Sequence, residues 1–492
     1  MTAPGHDLNP YVGPRPFLRQ DQELFFGRDR EARNLSNLTI AHPEVLLYSP
    51  AGAGKTSLLN AQLIPMLERE GCEVLPPARL GGPLEIVETG TGATSNIYVL
   101  HTLLSWDLGR SDPSELARMT LRDYLAGRQF SSTEPDLSAF RIAIFDQFEE
   151  LFTLYPAQWE QRQELIEQVR DALDADRHLR VIFAMREDYV ACLDPYLSRF
   201  PGRLQTHFRL QGLREEAALE AITRPLQGTG RRLAPGVAEK LVDSLLRVTV
   251  GGLEGWVVAR GEIIDPFQLQ VVCRSLFERL DPNTDVITED YLSMSGVNQA
   301  LSSFYDHALE IAAEQSGVKE GRLRRWFGTM LITHLGTRGL VLRGAQETGG
   351  IPNSVVDMLV DLHALKAEFR HGAIWYELPH DRLVEPILTS NRQWFAANEP
   401  AAAVSLDARV EAWEKQGRPE SLLFSELEVN VIEHWLSSET AGGLSHSVYA
   451  FLQASQSATG RRKLRRELSL SWVATALLVA ILAGIIIWLL QH

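Results

Sequence analysis

The sequence predicts an α/β fold: a parallel sheet with helices on both faces, followed by a helical domain, a winged-helix domain and a C-terminal transmembrane helix. Three observations lead there. Short apolar runs, "EVLLY" (44–48), "RIAIF" (141–145) and "LRVIFAM" (179–185), alternate with segments of helical spacing, and strands buried on both faces read as such unbroken runs. A glycine-rich stretch, "SPAGAGKTS" (49–57), joins the first run to the first helix. Near the end, "LSLSWVATALLVAILAGIIIWLL" (468–490) carries no charge.

Each element follows in order. Residues 1–22 are an arm punctuated by Pro and Gly. "TSLLNAQLIPMLERE" has apolar residues at helical spacing after the first run. "CEVLPPAR" (72–79) reads as a second strand, and "SNIYVLHTLLSWDL" and "TLRDYLAG" as helices. "QWEQRQELIEQVRDALDA" is an amphipathic helix between the runs at 140 and 179. After about residue 210 strands thin out and helical patterns continue to about 285. Helices with short strands such as "AIWYELP" then suit a winged-helix type of domain. "AANEPAAAVS" (396–405) reads as a linker. The expected division is an arm (1–22), a P-loop core (23–210), a helical lid (211–285), a winged-helix-like domain (286–395), a linker, stalk and basic segment (396–467), and a membrane helix (468–490).

Bulk composition agrees with several folded domains. The chain has 492 residues, 45% hydrophobic and 23% charged, and a single core does not grow to that size. A net charge of −15 argues against non-specific nucleic-acid binding by the body as a whole. The three cysteines, Cys72, Cys192 and Cys273, lie far apart without metal spacing, which fits reduced, buried thiols. The N-terminus has no apolar stretch that could serve as a signal peptide. As a helix, 468–490 would be about 35 Å long, enough to cross a hydrocarbon core of about 30 Å. "RRKLRRE" precedes it, and such clusters stay on the cytoplasmic side. The expectation is a single-pass C-terminal anchor in the cytoplasmic membrane, touching lipid through 461–490, with the body in the cytoplasm. Ala476, Ala480 and Gly484 fall on one face of that helix at four-residue spacing; chance in an Ala-rich span or close helix packing both account for it.

The glycine-rich stretch has the chemistry of a phosphate loop. Successive main-chain N–H groups at a helix N-terminus cradle an anion. Ser49, Pro50, Ala51, Gly52, Ala53, Gly54, Lys55, Thr56 and Ser57 make up this loop. Lys55 is placed for the β- and γ-phosphates and Thr56 for Mg²⁺. The usual first glycine is replaced by Ser49, at the entry turn and away from the phosphate contacts. Asp146 ends an apolar strand, where a P-loop ATPase holds Mg²⁺. Glu149 or Glu150 could orient or deprotonate the attacking water, or either could be a solvated helix start. Arg186 ends the next strand and could meet the γ-phosphate, or pair with Glu187 or Asp188. No N-K-x-D stretch occurs, so adenine is the expected base, with ATP/ADP and Mg²⁺ as cofactors.

With these motifs stand "FFGRDRE" (25–31), "FAMRED" and "ALEAITRP" (218–225). In that order the chain resembles STAND-class signal-transduction ATPases, most closely their bacterial novel STAND group, whose members often open with an arm like "NPYVGPRPF". The resemblance covers about residues 9–395 and continues more weakly to about 455. It implies that Gly27 and Arg28 pack at the adenine end and that Pro225 touches the nucleotide from a helical lid. It also implies that His380, in "ELPHDRLVEPI", approaches the ADP β-phosphate; beside Asp381, an ordinary hydrogen-bonded histidine is the equal reading.

The resemblance further implies a slow, regulatory ATPase that opens with ATP and self-associates, in stress or phage-defence signalling. Sensor and effector are then expected in a partner protein or in the membrane helix. Two other readings are a weakly hydrolysing ATP-binding membrane scaffold and a winged-helix DNA-binding regulator. The acidic charge and the tether stand against the second.

Overall fold

A computed structural model describes residues 9–50, 52–81, 96–128, 140–155, 158–252, 255–281, 284–294, 296–333, 337–370, 373–398, 402–424 and 450–458. The chain divides into two compact units. The first comprises Met1–Ala308 with Leu359–Pro386, the second Leu309–Met358 with Ile387–His492.

A five-stranded sheet organises the first unit. Its strands are β1 (Glu44–Ser49), β2 (Glu73–Val74), β3 (Arg141–Asp146), β4 (Leu179–Arg186) and β5 (His207–Arg209). They run in the order β2-β3-β4-β1-β5 and pair in parallel throughout. The unbroken apolar runs are explained by two-sided burial. Val45, Leu47, Ile142, Ile144, Ile182 and Ala184 pack on one face, while Leu46, Ala143, Phe145, Val181, Phe183 and Met185 pack on the other. Alternate side chains of a strand point to opposite faces, so each run feeds two cores. Each large apolar side chain so buried contributes roughly 1.5–3 kcal/mol.

Helices cover both faces. On the first lie α1 (Asp29–Ala41) and the helix that follows the glycine-rich loop. That helix starts as α2 (Lys55–Leu58), widens into a π-helical turn (Leu59–Leu63) and continues as α3 (Ile64–Arg69). The wide turn stands directly before Pro65, whose ring would clash with the Ala61 carbonyl in a regular helix. On the second face lie α4 (Ile97–Asp107), α5 (Pro113–Leu116), α6 (Leu121–Gly127), α7 (Glu150–Thr153) and α8 (Trp159–Ala175). Asn96 caps α4 by accepting from the Tyr98 and Val99 amides.

Among the helices that follow the sheet are α9 (Glu215–Thr223), α10 (Val237–Leu246) and α11 (Pro266–Glu278). Between the last two, an antiparallel hairpin pairs Arg247–Gly252 with Gly255–Arg260, in a stretch where the sequence pattern is dominated by helices. Leu359–Pro386 adds a second hairpin, Lys366–Arg370 with Ala373–Glu377.

In the second unit, Arg324 is buried and donates to Ser390 Oγ (2.9 Å) and Asn391 Oδ1 (3.3 Å). A separate cluster gathers Val410, Trp413, Leu423, Phe424 and Phe451. The expected linker at 396–405 is largely helical: one helix runs to Asn398 and the next starts at Ala402. Alanine is the strongest helix former, and alanines stand in both helices. Among the described residues no helix is long and apolar enough to cross a membrane. The expected membrane helix 468–490, the basic cluster 461–466 and Ala51 lie outside the described residues.

Candidate functional site

Because the strands of the five-stranded sheet all pair in parallel, the carboxyl ends of β1, β3 and β4 share one edge of it. Ligands of open α/β sheets bind outside that edge. A cavity of about 260 Å³ lies there, lined among others by Gly52, Lys55, Thr56, Asp146, Glu149 and Arg186.

The loop takes the shape its glycines allow. Gly52 has φ +84° and Gly54 φ +92°, a region that side-chain-bearing residues avoid. Gly54 caps α2 in this left-handed conformation, and Gly54, Lys55 and Thr56 at the helix N-terminus line the cavity. Ser49 is the last residue of β1, in register with Arg186. It is fully buried, and its hydroxyl donates to the Pro50 carbonyl (2.8 Å) and accepts from Lys55 Nζ (2.9 Å). The missing first glycine is therefore replaced by a residue that orients the lysine. Burial lowers the Lys55 pKa, opposed first by Glu149 and then by Asp146.

Thr56 Oγ1 donates to Asp146 Oδ2 at 2.9 Å. This bond joins the loop after β1 to the acid that ends β3, 90 residues apart in sequence. A hydroxyl beside a carboxylate is a hard-oxygen donor set, which fits Mg²⁺. The two glutamates separate. Glu149 lines the cavity and accepts from the Arg186 amide (3.2 Å). Glu150 accepts from the Leu80 amide (3.0 Å) and pairs with Arg79 (3.3 Å). Burial pushes the Glu150 carboxyl up to about 7, opposed first by Arg79. Arg186 lines the cavity with its guanidinium on Asp188 (2.6 Å).

Arg28 is 3% exposed and lines the cavity. It donates to the Ala53 carbonyl (3.2 Å) and the Gln211 carbonyl (2.7 Å), and pairs with Glu31 (3.0 Å). It thus ties the loop to the chain leaving β5. Ala53, Gly54 and Ser57 complete the expected residues on the cavity wall.

Gly27, Ser49, Pro50, Glu150, Pro225 and His380 are not on that wall. At Gly27 (φ +83°) a Cβ would lie 2.2 Å from the Ala217 carbonyl, so this glycine lets α9 approach the loop before α1. Pro225, itself buried, opens a 3₁₀ turn after α9, and Ala221 of α9 lines the cavity. His380 Nδ1 accepts from the Arg382 amide (3.0 Å) and Nε2 lies 3.3 Å from Asp265 Oδ2. Asp265 caps α11 through the Gln268 amide (3.1 Å). Its Oδ2 is also the atom nearest to where a Cβ on Gly52 would stand, at 3.7 Å.

Several contributors went unread in the sequence: Arg15, Pro16 and Phe17 of the arm, Phe267 and Gln270 of α11, and Lys366. Asp265-Pro266 is a helix-start signature and could have located α11. Nothing local marks the arm or Lys366 as cavity residues.

The model of one protein family, novel STAND NTPase 1, matches residues 10–421. No curated protein matches the chain. Among solved structures, the Walker-type ATPase paby2304 of Pyrococcus abyssi is similar at 16% identity and a TM-score of 0.41, over 77% of this chain and 100% of that one. The Aeropyrum pernix ORC2 protein, in ADPNP–ADP complexes, is similar at 15% identity and a TM-score of 0.38, over 80% and 98%.

Proposed function

Because this chain belongs to the novel STAND NTPase 1 family, we propose that it is a membrane-anchored ATP-dependent switch that hydrolyses ATP slowly. The observation that carries the reading is the 2.9 Å bond between Thr56 and Asp146, which unites the two halves of a P-loop ATPase site. The main-chain amides from Gly52 to Thr56 hold the phosphates at the start of α2. Lys55 turns from Ser49 to the β- and γ-oxygens. Thr56 and Asp146 would hold Mg²⁺, which would supply positive charge to offset that of the phosphates. Glu149, on the cavity wall, positions the attacking water. Glu150 supports Arg79 and the Leu80 amide instead. Arg186 stands at the end of β4, where a cation meets the γ-phosphate.

The switch couples the sheet to the elements that follow it. We read α9 to α11 as the helical lid and 286–395 as the winged-helix-like domain, whose His380 reaches toward the phosphate loop through Asp265. ADP favours the closed arrangement and ATP the open one, in which chains self-associate. A full inversion of such an equilibrium takes about 5.5 kcal/mol of differential affinity, which the nucleotide shares with a trigger from a sensor or effector partner. The body lies on the cytoplasmic side of the membrane, and the output belongs to stress or phage-defence signalling.

Fluorescent-ADP titration and phosphate release on the detergent-solubilised full chain test this. Lys55→Ala should weaken ADP by roughly 100-fold, the loss of one or two charge-assisted contacts. Glu149→Gln should slow hydrolysis by at least about 100-fold, and Glu150→Gln should not. Unchanged affinity in Lys55→Ala, or unchanged hydrolysis in Glu149→Gln, removes the respective assignment. The same mass by light scattering in ADP and in a non-hydrolysable ATP analogue removes self-association.

A further inference from the structure

We propose that Arg79 is a resident counter-charge to Asp146, that Glu150 draws it aside, and that this contest sets how tightly the site takes its divalent cation. The proposal deepens the nucleotide reading above and rests on it.

Asp146 is 4% exposed, and a buried carboxylate is costly unless donors or opposite charge compensate it. Thr56 Oγ1 donates to its Oδ2 (2.9 Å) and the Gln147 amide to its Oδ1 (3.1 Å). Both are neutral donors. Lys55 has its Nζ on Ser49 (2.9 Å) and goes to the phosphates on the proposed reading. Arg79 brings a further positive charge. One guanidinium nitrogen, Nη2, lies 3.9 Å from Asp146 Oδ2, the oxygen that also takes Thr56. The other, Nη1, donates to Glu150 Oε1 at 3.3 Å.

Both contacts are long for charge-assisted ones, which run to about 2.7–2.9 Å. One guanidinium is shared by two acids and sits at the optimum of neither. The frame around it is fixed. Ala78 bridges to Phe145; its amide donates to the Ile144 carbonyl (2.7 Å) and its carbonyl accepts from the Asp146 amide (3.0 Å). The Arg79 amide donates to Ser105 Oγ (3.2 Å), and the Leu80 amide holds Glu150 Oε2 (3.0 Å). The Arg79 side chain, 40% exposed, is the part that can turn. Arg79 is not on the cavity wall, whereas Asp146 is, so its charge reaches the site through that carboxylate.

The consequence is electrostatic. A positive charge about 4 Å from a carboxylate competes with any other cation for it. Turned to Asp146, Arg79 compensates the acid and opposes a divalent cation there. Turned to Glu150, it leaves Asp146 to serve as a ligand. Glu150 thereby acts on cation affinity through Arg79, without touching the nucleotide or changing turnover at saturating Mg²⁺.

The test is Mn²⁺ binding to the one-to-one ADP complex of the detergent-solubilised full chain. Loss of the free-Mn²⁺ electron paramagnetic resonance signal reads it, at pH 8, where Glu150 is charged. Arg79→Met should tighten Mn²⁺ by about 10-fold, the effect of one partly screened charge at this distance. Arg79→Lys keeps the charge and should stay within about 3-fold of the wild type. Glu150→Gln should weaken Mn²⁺ by about 5-fold, because Arg79 then turns to Asp146. In the Arg79→Met background the same change should move it by less than about 2-fold. Unaltered ADP affinity in EDTA certifies the fold of each variant. Mn²⁺ bound no tighter by Arg79→Met overturns the counter-charge, and an equal effect of Glu150→Gln in both backgrounds overturns the part given to Glu150. If Lys55→Ala binds ADP as the wild type does, or the wild type binds none, the nucleotide reading itself has failed and this proposal falls with it.

Discussion

Glu150→Gln should stabilise the protein at pH 7.5 and leave it nearly unchanged at pH 4.5. The side chain is 19% exposed and accepts from the Leu80 amide, with Arg79 at 3.3 Å. Burial outweighs these contacts and raises the carboxyl from 4.5 to about 7. In the unfolded chain it returns to its ordinary value, so between those two pH values the folded state binds more protons. Stability from the protonated acid is therefore fully present below about 4.5 and lost as pH rises through about 7. A shift of about 2.5 units corresponds to about 3 kcal/mol at full loss. Glutamine is never charged and can still accept from Leu80, so the variant escapes the loss. Urea unfolding of wild type and variant at pH 4.5, 5.5, 6.5 and 7.5 reads the difference, in which other titrating groups cancel. A difference that grows by about 2–3 kcal/mol across the series is expected. One that stays flat within about 0.5 kcal/mol would falsify the view that Glu150 is held against its charge.

Arg28→Met strips a charged donor from two carbonyls, Ala53 and Gln211. Hydrogen bonds to charged groups are worth about 1.5–3 kcal/mol each. Relief of the buried guanidinium, whose pKa burial lowers, offsets part of that. A net loss of about 2–4 kcal/mol in urea unfolding is expected; a loss under 1 kcal/mol would show that Arg28 does not tie the loop to the strand exit. For the anchor, alkaline extraction should leave the full chain in the membrane and release a version ending at residue 460. Release of both forms sinks the membrane assignment.

The sheet was legible because its residues repeat a physical rule. Strands buried on both faces are apolar through their centres, as Val45–Tyr48, Ile142–Phe145 and Val181–Met185 are. The loop was legible because only glycine tolerates the φ values at Gly52 and Gly54. Glu149 and Glu150 could not be told apart, since both follow β3 at helix-start spacing. Their difference arises from Arg79 and Leu80, some 70 residues earlier in the chain. The hairpin at 247–260 was missed although "RVTV" and "WVVAR" are rich in β-branched residues, because the amphipathic helices on either side dominated the window. Gln270 was invisible for another reason. A glutamine in an apolar helix pattern reads as a surface position, and only burial without a partner distinguishes it.

Four stretches distant in sequence meet at the cavity of the first unit: the arm, the loop between β1 and α2, helices α9 and α11, and the hairpin strand that carries Lys366. Asp265 shows how closely they are coupled. One carboxylate oxygen caps α11, and the other lies next to Gly52 and pairs with His380. The Arg382 amide donates to His380 Nδ1, which leaves the proton of a neutral imidazole on Nε2, facing Asp265. Each of these contacts is worth about 1 kcal/mol, too little to fix the assembly alone. A bound ligand that touches all four walls favours their joint closure by the difference in its affinity for the closed and open forms. Linkage makes the effect reciprocal: whatever draws the lid helices or the arm away must weaken the ligand by the same factor. A trigger that binds the open form 100-fold better than the closed one would add about 2.7 kcal/mol toward opening, roughly half of a full inversion. On the proposed reading, the rest would come from the exchange of nucleotide.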